Sequence, residues 1–373
     1  MAHSQSKVRL TGYAVFRTMA RQAQQQHRWP PSEADKFALL RKALSARFLR
    51  ANPLGALYYL VYRKLPPLSR TETTGLGSGA PVPEGWFMKP ARFCYHQPTT
   101  VDEAVALLGQ LAPEDGRILA GGQSLVPTMA FRMAQPPHLI DINGIAELAG
   151  IEVDGDIVRI GACVRHTAFE VAGAVPGATG VWLRKVVRHI AHYPIRTRGT
   201  FCGSVANADP ASEWCCAVTA IDGRIVARSA SGVRRIAANQ FFEGVMATTR
   251  RDDELVTSVE LSLLPEGTRC GFAEFSRRPG DFAIAMAMAS YRLVDGNRIA
   301  EARIAVGGAE PMPRRIAQAE AELNGKTPST PVFAAVADAA AAAIDPMEDS
   351  NNTADYRRGL VRTMTLRALE NAA

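Results

Sequence analysis

Two glycine loops about 80 residues apart constrain this chain of 373 residues more than any other feature. The first is Ala120-Gly121-Gly122-Gln123-Ser124-Leu125-Val126-Pro127. It follows Arg117-Ile-Leu-Ala120, which reads as a short buried strand. The second runs from Arg198-Gly199-Thr200-Phe201-Cys202-Gly203-Ser204 to Asn207-Ala208-Asp209-Pro210. Glycine admits positive φ and lets the backbone approach a ligand closely. Successive amides in such a turn converge on a concavity that suits phosphate oxygens. Two loops of this kind can hold a diphosphate between them without Lys or Arg. Asp209 can then accept hydrogen bonds from ligand hydroxyls. Either loop alone says little, because glycine turns are common. Gly75-Leu-Gly-Ser-Gly79 is a case in point. No strand pattern precedes it and no helix pattern follows, so it reads as linker.

The elements around the loops give an α+β class. Thr100 caps a helix carrying Val101, Ala104, Leu107 and Leu108 on one face, with Glu103 three residues past the cap. Strands are expected over 139–142, 156–161, 225–228 and 254–263, and helices over 165–174 and 181–191. In the last third, 287–293 and 299–306 form an antiparallel hairpin across Asp295-Gly296. Helix follows around 320–323, through the alanine run 335–343, and as an amphipathic tail over 355–370.

Charge divides the chain. Residues 1–88 hold 13 Lys/Arg and four acids, whereas the remainder holds 30 Lys/Arg and 32 acids. The net +7 therefore belongs to an N-terminal extension, and a near-neutral body argues against nucleic acid. Ser32 caps one expected helix, with Phe37, Leu40, Leu44 and Phe48 at helical spacing. Residues 54–62 read as a second helix, too short for the ~20 apolar residues of a membrane span. Arg9 and Arg17 interrupt any secretory pattern, so a cytoplasmic chain is expected. The basic extension suggests docking to an acidic surface of a partner.

Taken together and in this order, the two loops resemble the FAD-binding medium subunit of the molybdenum hydroxylases. This is the xanthine dehydrogenase and carbon monoxide dehydrogenase family. Its pattern reads A-G-G-x-S-L-x-P, then I-R-x-x-G-T-x-G-G-S/N-x-x-x-A-D-P. Ala120 to Pro127 and Ile195 to Pro210 follow it. So do Pro98-Thr-Thr-Val-Asp-Glu-Ala, Ile160-Gly-Ala-Cys-Val-Arg-His166 and Arg277-Arg-Pro-Gly-Asp-Phe-Ala283. Ala305-Val-Gly-Gly-Ala-Glu-Pro311 and Asp355-Tyr-Arg-Arg358 resemble its C-terminal domain. The resemblance covers residues 89–373 and not 1–88.

It implies a two-part FAD-binding domain of the vanillyl-alcohol-oxidase (PCMH) type over 89–264. A C-terminal domain of antiparallel sheet plus helices follows over 265–373. Before them come a basic helical extension over 1–70 and a flexible linker over 71–88. FAD would lie in a cleft of the flavin domain. The resemblance makes Ala120, Gly121, Gly122, Gln123, Ser124, Leu125 and Pro127 the first diphosphate loop. Thr200, Phe201, Cys202, Gly203 and Ser204 become the second. Asp209 would meet the ribityl or ribose region, Val256 an apolar part of the cofactor, and Phe272 and Asp281 the isoalloxazine. No acid, base, nucleophile or metal ligand is implied on this chain. The function implied is electron transfer from two [2Fe–2S] clusters of a small subunit, through FAD, to an external acceptor. A large subunit would hold the molybdenum cofactor, in a dimer of heterotrimers. Two other classes share the pattern: a stand-alone flavin oxidase, and a flavin-less assembly scaffold.

The sequence departs from the family at Cys202, where the commonest pattern has glycine; a Cβ there requires negative φ. Ala273 replaces a lysine of the xanthine dehydrogenase branch, which argues against that branch's NAD chemistry. Adjacent Cys215 and Cys216 read as buried helix residues, and His166 as a structural hydrogen-bonding histidine. His189 and His192 have metal-like spacing, but no nearby acid or cysteine completes a site before Pro194. Arg196 and Arg198 either contact FAD or brace the loop.

Overall fold

The computed structural model describes residues 89–372, so the helices expected in the extension and the expected linker lie outside the described residues. Near the start of this region, β1 (Cys94–His96), β2 (Arg117–Leu119) and β3 (His138–Asp141) form a parallel sheet in the order β1-β3-β2. Helix α1 (Val101–Leu111) connects β1 to β2. The Thr100 hydroxyl accepts from the Glu103 amide, and the Glu103 carboxylate accepts from the Thr99 amide. These reciprocal bonds satisfy amides that the first turn leaves without partners. The buried face of α1 is Val101, Ala104, Val105 and Leu108; Leu107 is only half-buried.

A second, antiparallel sheet contains β4 (Ile151–Asp154), β5 (Ile157–Gly161), β6 (Arg224–Ser229), β7 (Gly232–Ala237) and β10 (Leu255–Ser262). Its order is β4-β5-β10-β6-β7, with a ribbon of β8 (Phe242–Gly244) and β9 (Ala247–Thr248) beside it in sequence. Between β5 and β6 the chain is helical: α2 (Leu125–Ala130) lies earlier, then come α3 (Gly177–Val187), α4 (Tyr193–Arg196), α5 (Phe201–Asn207) and α6 (Glu213–Ala220). Two sequence expectations need correction here. The helix over 165–174 is only a 3₁₀ stretch, His166–Glu170, because Gly173 turns to positive φ and Pro176 follows. The next helix begins earlier, at Gly177, and ends at Val187 rather than 191.

The third sheet is antiparallel: β11 (Arg269–Phe275), β12 (Ala285–Val294), β13 (Arg298–Gly307) and β14 (Arg314–Arg315). Its β12–β13 hairpin turns through Asp295, Gly296 and Asn297, all with positive φ. After a short helix α7 (Ala238–Phe241) earlier in the chain, α8 (Ala317–Leu323), α9 (Thr330–Ala343) and α10 (Ala354–Ala372) complete the fold. Gly271 of β11 explains how closely α10 packs: a Cβ there would lie 1.7 Å from the Ala368 carbonyl oxygen. Two hydrophobic clusters hold the molecule together. One joins the first two sheets to α3, α5 and α6, and the other lies between the third sheet and α8–α10. Helix α6 links the two regions, since Cys216 sits against Gly307 of β13.

Candidate cofactor cleft

The strand-to-helix turn after β2 and the entry into α5 face each other across one cavity of about 650 Å³. Small-molecule sites span about 300–1,000 Å³. The two loops cross closely at Gly121. A Cβ on Gly121 would lie 2.5 Å from the Arg198 carbonyl oxygen and 2.6 Å from the Gly199 Cα. Glycine is needed there for backbone approach, not for φ. Gly122, by contrast, has φ +72°. Gly199 is pressed from behind, since a Cβ there would lie 2.5 Å from His166 Nε2.

The first loop leaves its amides open. Among the described residues, the N–H groups of Gly121, Gly122, Gln123 and Ser124 find no acceptor in the protein. Four consecutive half-buried or exposed donors on a cavity wall suit an anion. Opposite them, the Thr200 hydroxyl caps α5 through the Gly203 amide at 3.1 Å, and Ser204 Oγ pairs with Ser212 Oγ at 2.8 Å. Asp209 Oδ1 accepts from the Ala211 amide at 2.9 Å. That turn holds the carboxylate at the cavity.

Most of the residues singled out from sequence meet here. Ala120, Gly121, Gly122, Gln123, Ser124, Leu125, Thr200, Cys202, Gly203, Ser204, Asp209, Val256 and Asp281 all line the cavity. Three do not. Pro127 lies inside α2. Phe201 is fully buried and packs on Phe169 and Trp214, with ring centroids 5.3 and 4.8 Å apart. Phe272 is buried on β11 against the edge of His189. Cys202 has negative φ in α5, and its thiol donates to the Ile160 carbonyl 3.3 Å away. Burial pushes that thiol far above its ordinary range.

The sequence reading missed several lining residues. Leu108, Ala112, Arg117, Arg250 and Leu255 also line the cavity, with Val256. Arg250 is fixed by the Arg251 and Glu254 carbonyls at 2.7 and 3.0 Å. So do Ile190, Ile195, Glu213 and Gly280 to Phe282. Glu213 is buried, and burial with the neighbouring Glu274 carboxylate pushes it up to about 8. Both causes favour its neutral form, which lowers the negative charge of the wall. Only the Ser212 cap at the start of α6 marks this position in sequence.

The histidines and arginines sort out cleanly. Trp214 Nε1 donates to His166 Nδ1 at 2.8 Å, and burial, with the Arg196 and Arg165 charges, pushes His166 down to about 3. It is a neutral structural group. Arg196 pairs with Glu170 at 2.6 Å and donates to the Ile190 and Ala191 carbonyls, so it braces the loop. His189 faces Glu274 at 3.5 Å.

Residues 91–263 match the FAD binding domain in molybdopterin dehydrogenase, and 271–372 match the CO dehydrogenase flavoprotein C-terminal domain. The nicotine 6-hydroxylase medium subunit of Paenarthrobacter nicotinovorans is 37% identical over 285 residues, 76% of this chain and 99% of the relative. This chain belongs to that FAD-binding family. It is an oxidoreductase subunit that carries FAD, with the vanillyl-alcohol-oxidase-type fold and the C-terminal domain that the two loops imply. The carbon monoxide dehydrogenase medium chain of Hydrogenophaga pseudoflava is 36% identical and is matched over 98% of its length. A solved carbon monoxide dehydrogenase from the same organism superposes with a TM-score of 0.72 at 36% identity, over 76% of this chain and 98% of that one. Quinoline 2-oxidoreductase from Pseudomonas putida 86 gives the same TM-score of 0.72 at 32% identity. The family matches begin at residue 91, so they leave the basic extension without a counterpart. Among the described residues, no helix is long and apolar enough to cross a membrane.

Proposed function

We propose that this chain is the electron-transfer flavin subunit of a cytoplasmic molybdenum hydroxylase. In this reading it takes electrons from two [2Fe–2S] clusters on a small subunit and passes them to an external acceptor. A large subunit holds the molybdenum cofactor, within a dimer of heterotrimers. The observation that carries the reading is the row of open amides from Gly121 to Ser124 on the cavity wall. They would hold the FAD diphosphate, with Thr200, Cys202, Gly203 and Ser204 on its other side. Ala120 and Leu125 flank the first loop, and Pro127 and Phe201 support the two loops from behind. Asp209 would accept from ribityl or ribose hydroxyls. Val256 would pack against an apolar part of the cofactor. Asp281 would lie at the isoalloxazine end, with Phe272 behind it. Bound FAD supplies the link between one-electron and two-electron steps. The protein's part is to bind it, orient it and exclude water; no proton-transferring side chain is required. The cavity walls fit this part, because the Cys202 thiol is tied to the Ile160 carbonyl within the core.

The surplus of nine positive charges in residues 1–88 would dock an acidic partner surface. Deleting 1–85 should leave FAD content intact and weaken assembly with the partner chains. The test of the main reading is the full chain purified with its native partners and extracted with acid. Release of one FAD per chain, with iron–sulfur absorbance in the intact complex, is the expected result. A folded, intact complex that releases no flavin would overturn it.

A further inference from the structure

The two loops arise from different parts of the fold, yet their gap must match a diphosphate. One polar network joins them. Asn143, in the turn after β3, donates from Nδ2 to the Ala120 carbonyl at 2.7 Å, at the start of the first loop. Its Oδ1 accepts from Arg165 at 2.5 Å. The same guanidinium donates through its other arm to the Arg198 carbonyl, at the start of the second loop. Asp141 anchors the network by accepting from the Asn143 amide at 2.9 Å, and Tyr95 donates its hydroxyl to Asp141. Of these six residues only Ala120 is among those that line the cavity.

We propose that Asn143 and Arg165 form a staple that sets the spacing of the two glycine loops, and so position the diphosphate site without touching it. Two independent observations support this. First, the network ends on the Arg198 carbonyl, the same atom that a Cβ on Gly121 would meet first, at 2.5 Å. The staple and the backbone crossing therefore fix one point from two sides. Second, the geometry matches the donor and acceptor sets. An amide offers one acceptor and two donors, and a guanidinium offers a planar fork that can hold two acceptors in a fixed relation. Main-chain contacts hold Arg165 itself against the second loop: the His166 amide donates to Gly199 at 3.0 Å and the Phe201 amide to Val164 at 3.0 Å. The first loop has no such ladder to the second, which leaves Asn143 as its polar tie.

This inference rests on the FAD reading, and its test separates the two. The full chain is stripped of flavin and titrated with FAD, ADP and riboflavin, for wild type, Asn143→Ala, Arg165→Met and Arg165→Lys. Each lost hydrogen bond to a charged group corresponds to about a tenfold effect or more. The expected result is at least ~10-fold weaker binding of FAD and of ADP in the first two variants, with riboflavin affinity unchanged. Arg165→Lys should recover part of the loss, because an ammonium reaches one acceptor but cannot fork between two. Should Arg165→Met fail to fold, Asn143→Ala interrogates the same tie from the other loop. Wild-type affinity for FAD in a folded Asn143→Ala chain would overturn the staple alone. Equal losses for riboflavin and ADP would also overturn it, since they would report general damage to the cleft. Wild-type chain that binds neither FAD nor ADP would overturn the cofactor reading itself.

Discussion

Replacing Gly121 with alanine isolates the loop crossing from every other effect. Gly121 does not have positive φ, so the substitution carries no backbone strain of its own. The added Cβ meets backbone atoms only: the Arg198 oxygen at 2.5 Å, the Gly199 Cα at 2.6 Å and the Thr200 nitrogen at 3.0 Å. None of these can rotate away. Reaching ordinary contact at 3.4 Å means parting the loops by about 0.9 Å. Overpacking of this kind costs about 1–3 kcal/mol, offset by about 0.4–1 kcal/mol from the stiffer unfolded chain. The folded chain therefore survives. Ligand binding suffers more. Amide-to-oxygen bonds of about 2.9 Å stretched by most of an ångström cease to be hydrogen bonds. Losing one or two charge-assisted bonds, at about 1.5–3 kcal/mol each, predicts FAD affinity weaker by about 100-fold. The assay is fluorescence titration of the flavin-stripped chain, paired with thermal melting. Gly109→Ala is the control: it lies on exposed α1, where an added Cβ meets nothing within 4 Å. That variant should gain about 0.5–1 kcal/mol of stability and keep its FAD affinity. Wild-type affinity in Gly121→Ala would refute the argument that the crossing sets the diphosphate gap.

Three further predictions follow from burial and packing. Glu213 holds its proton up to about pH 8 when folded, whereas the unfolded carboxyl loses it near 4.5, so stability should fall as pH rises between those values. Glu213→Gln should flatten that slope and melt higher than wild type at pH 8; an unchanged slope would count against a buried, protonated Glu213. Gly271→Ala places a Cβ 1.7 Å from the Ala368 oxygen, and should push α10 off β11 and lower the melting temperature more than Gly121→Ala does. His166, pushed down to about 3, should show no imidazole titration by NMR between about pH 4 and 8. A midpoint near 6.5 would mean that burial and the Arg196 and Arg165 charges do not hold it neutral.

Local signals in the sequence account for most of the fold. Thr100 and Glu103 mark the start of α1, and the Asp295-Gly296 turn marks the β12–β13 hairpin, because caps and turns depend on neighbours in the chain. The 3₁₀ stretch His166–Glu170 was not legible as such. Its buried His166 and Phe169 are three apart, a spacing shared by α- and 3₁₀-helices. The glycine loops were legible for the same local reason. The charged lining of the cleft was not. Arg117 and Arg250 lie 133 positions apart, and Glu213 owes its raised pKa to burial and then to Glu274 of β11, 61 positions on. Asn143 and Arg165 carry no pattern that points to each other; only the fold makes them neighbours.

Cys202 shows how a departure from pattern can be absorbed. A glycine in a phosphate loop is required for one of two reasons, positive φ or a close approach. The structure separates these needs along the loops. Gly122 meets the first and Gly121 the second. Gly203 also meets the second, since a Cβ there would lie 2.6 Å from the Thr200 hydroxyl that caps α5. Cys202 meets neither. It sits in the first turn of α5 with helical φ, and its thiol is held by the Ile160 carbonyl. The residue lines the cleft, yet its thiol is bonded within the core and the residue is almost fully buried. The same logic predicts an order of tolerance. Cys202→Gly should cost about 0.5–1 kcal/mol of helix stability plus the lost packing, and leave FAD affinity near wild type. Gly203→Ala should break the Thr200 cap and weaken FAD binding. If Cys202→Gly instead tightened FAD binding severalfold, the side chain would have to intrude on the cleft, contrary to its placement in the core.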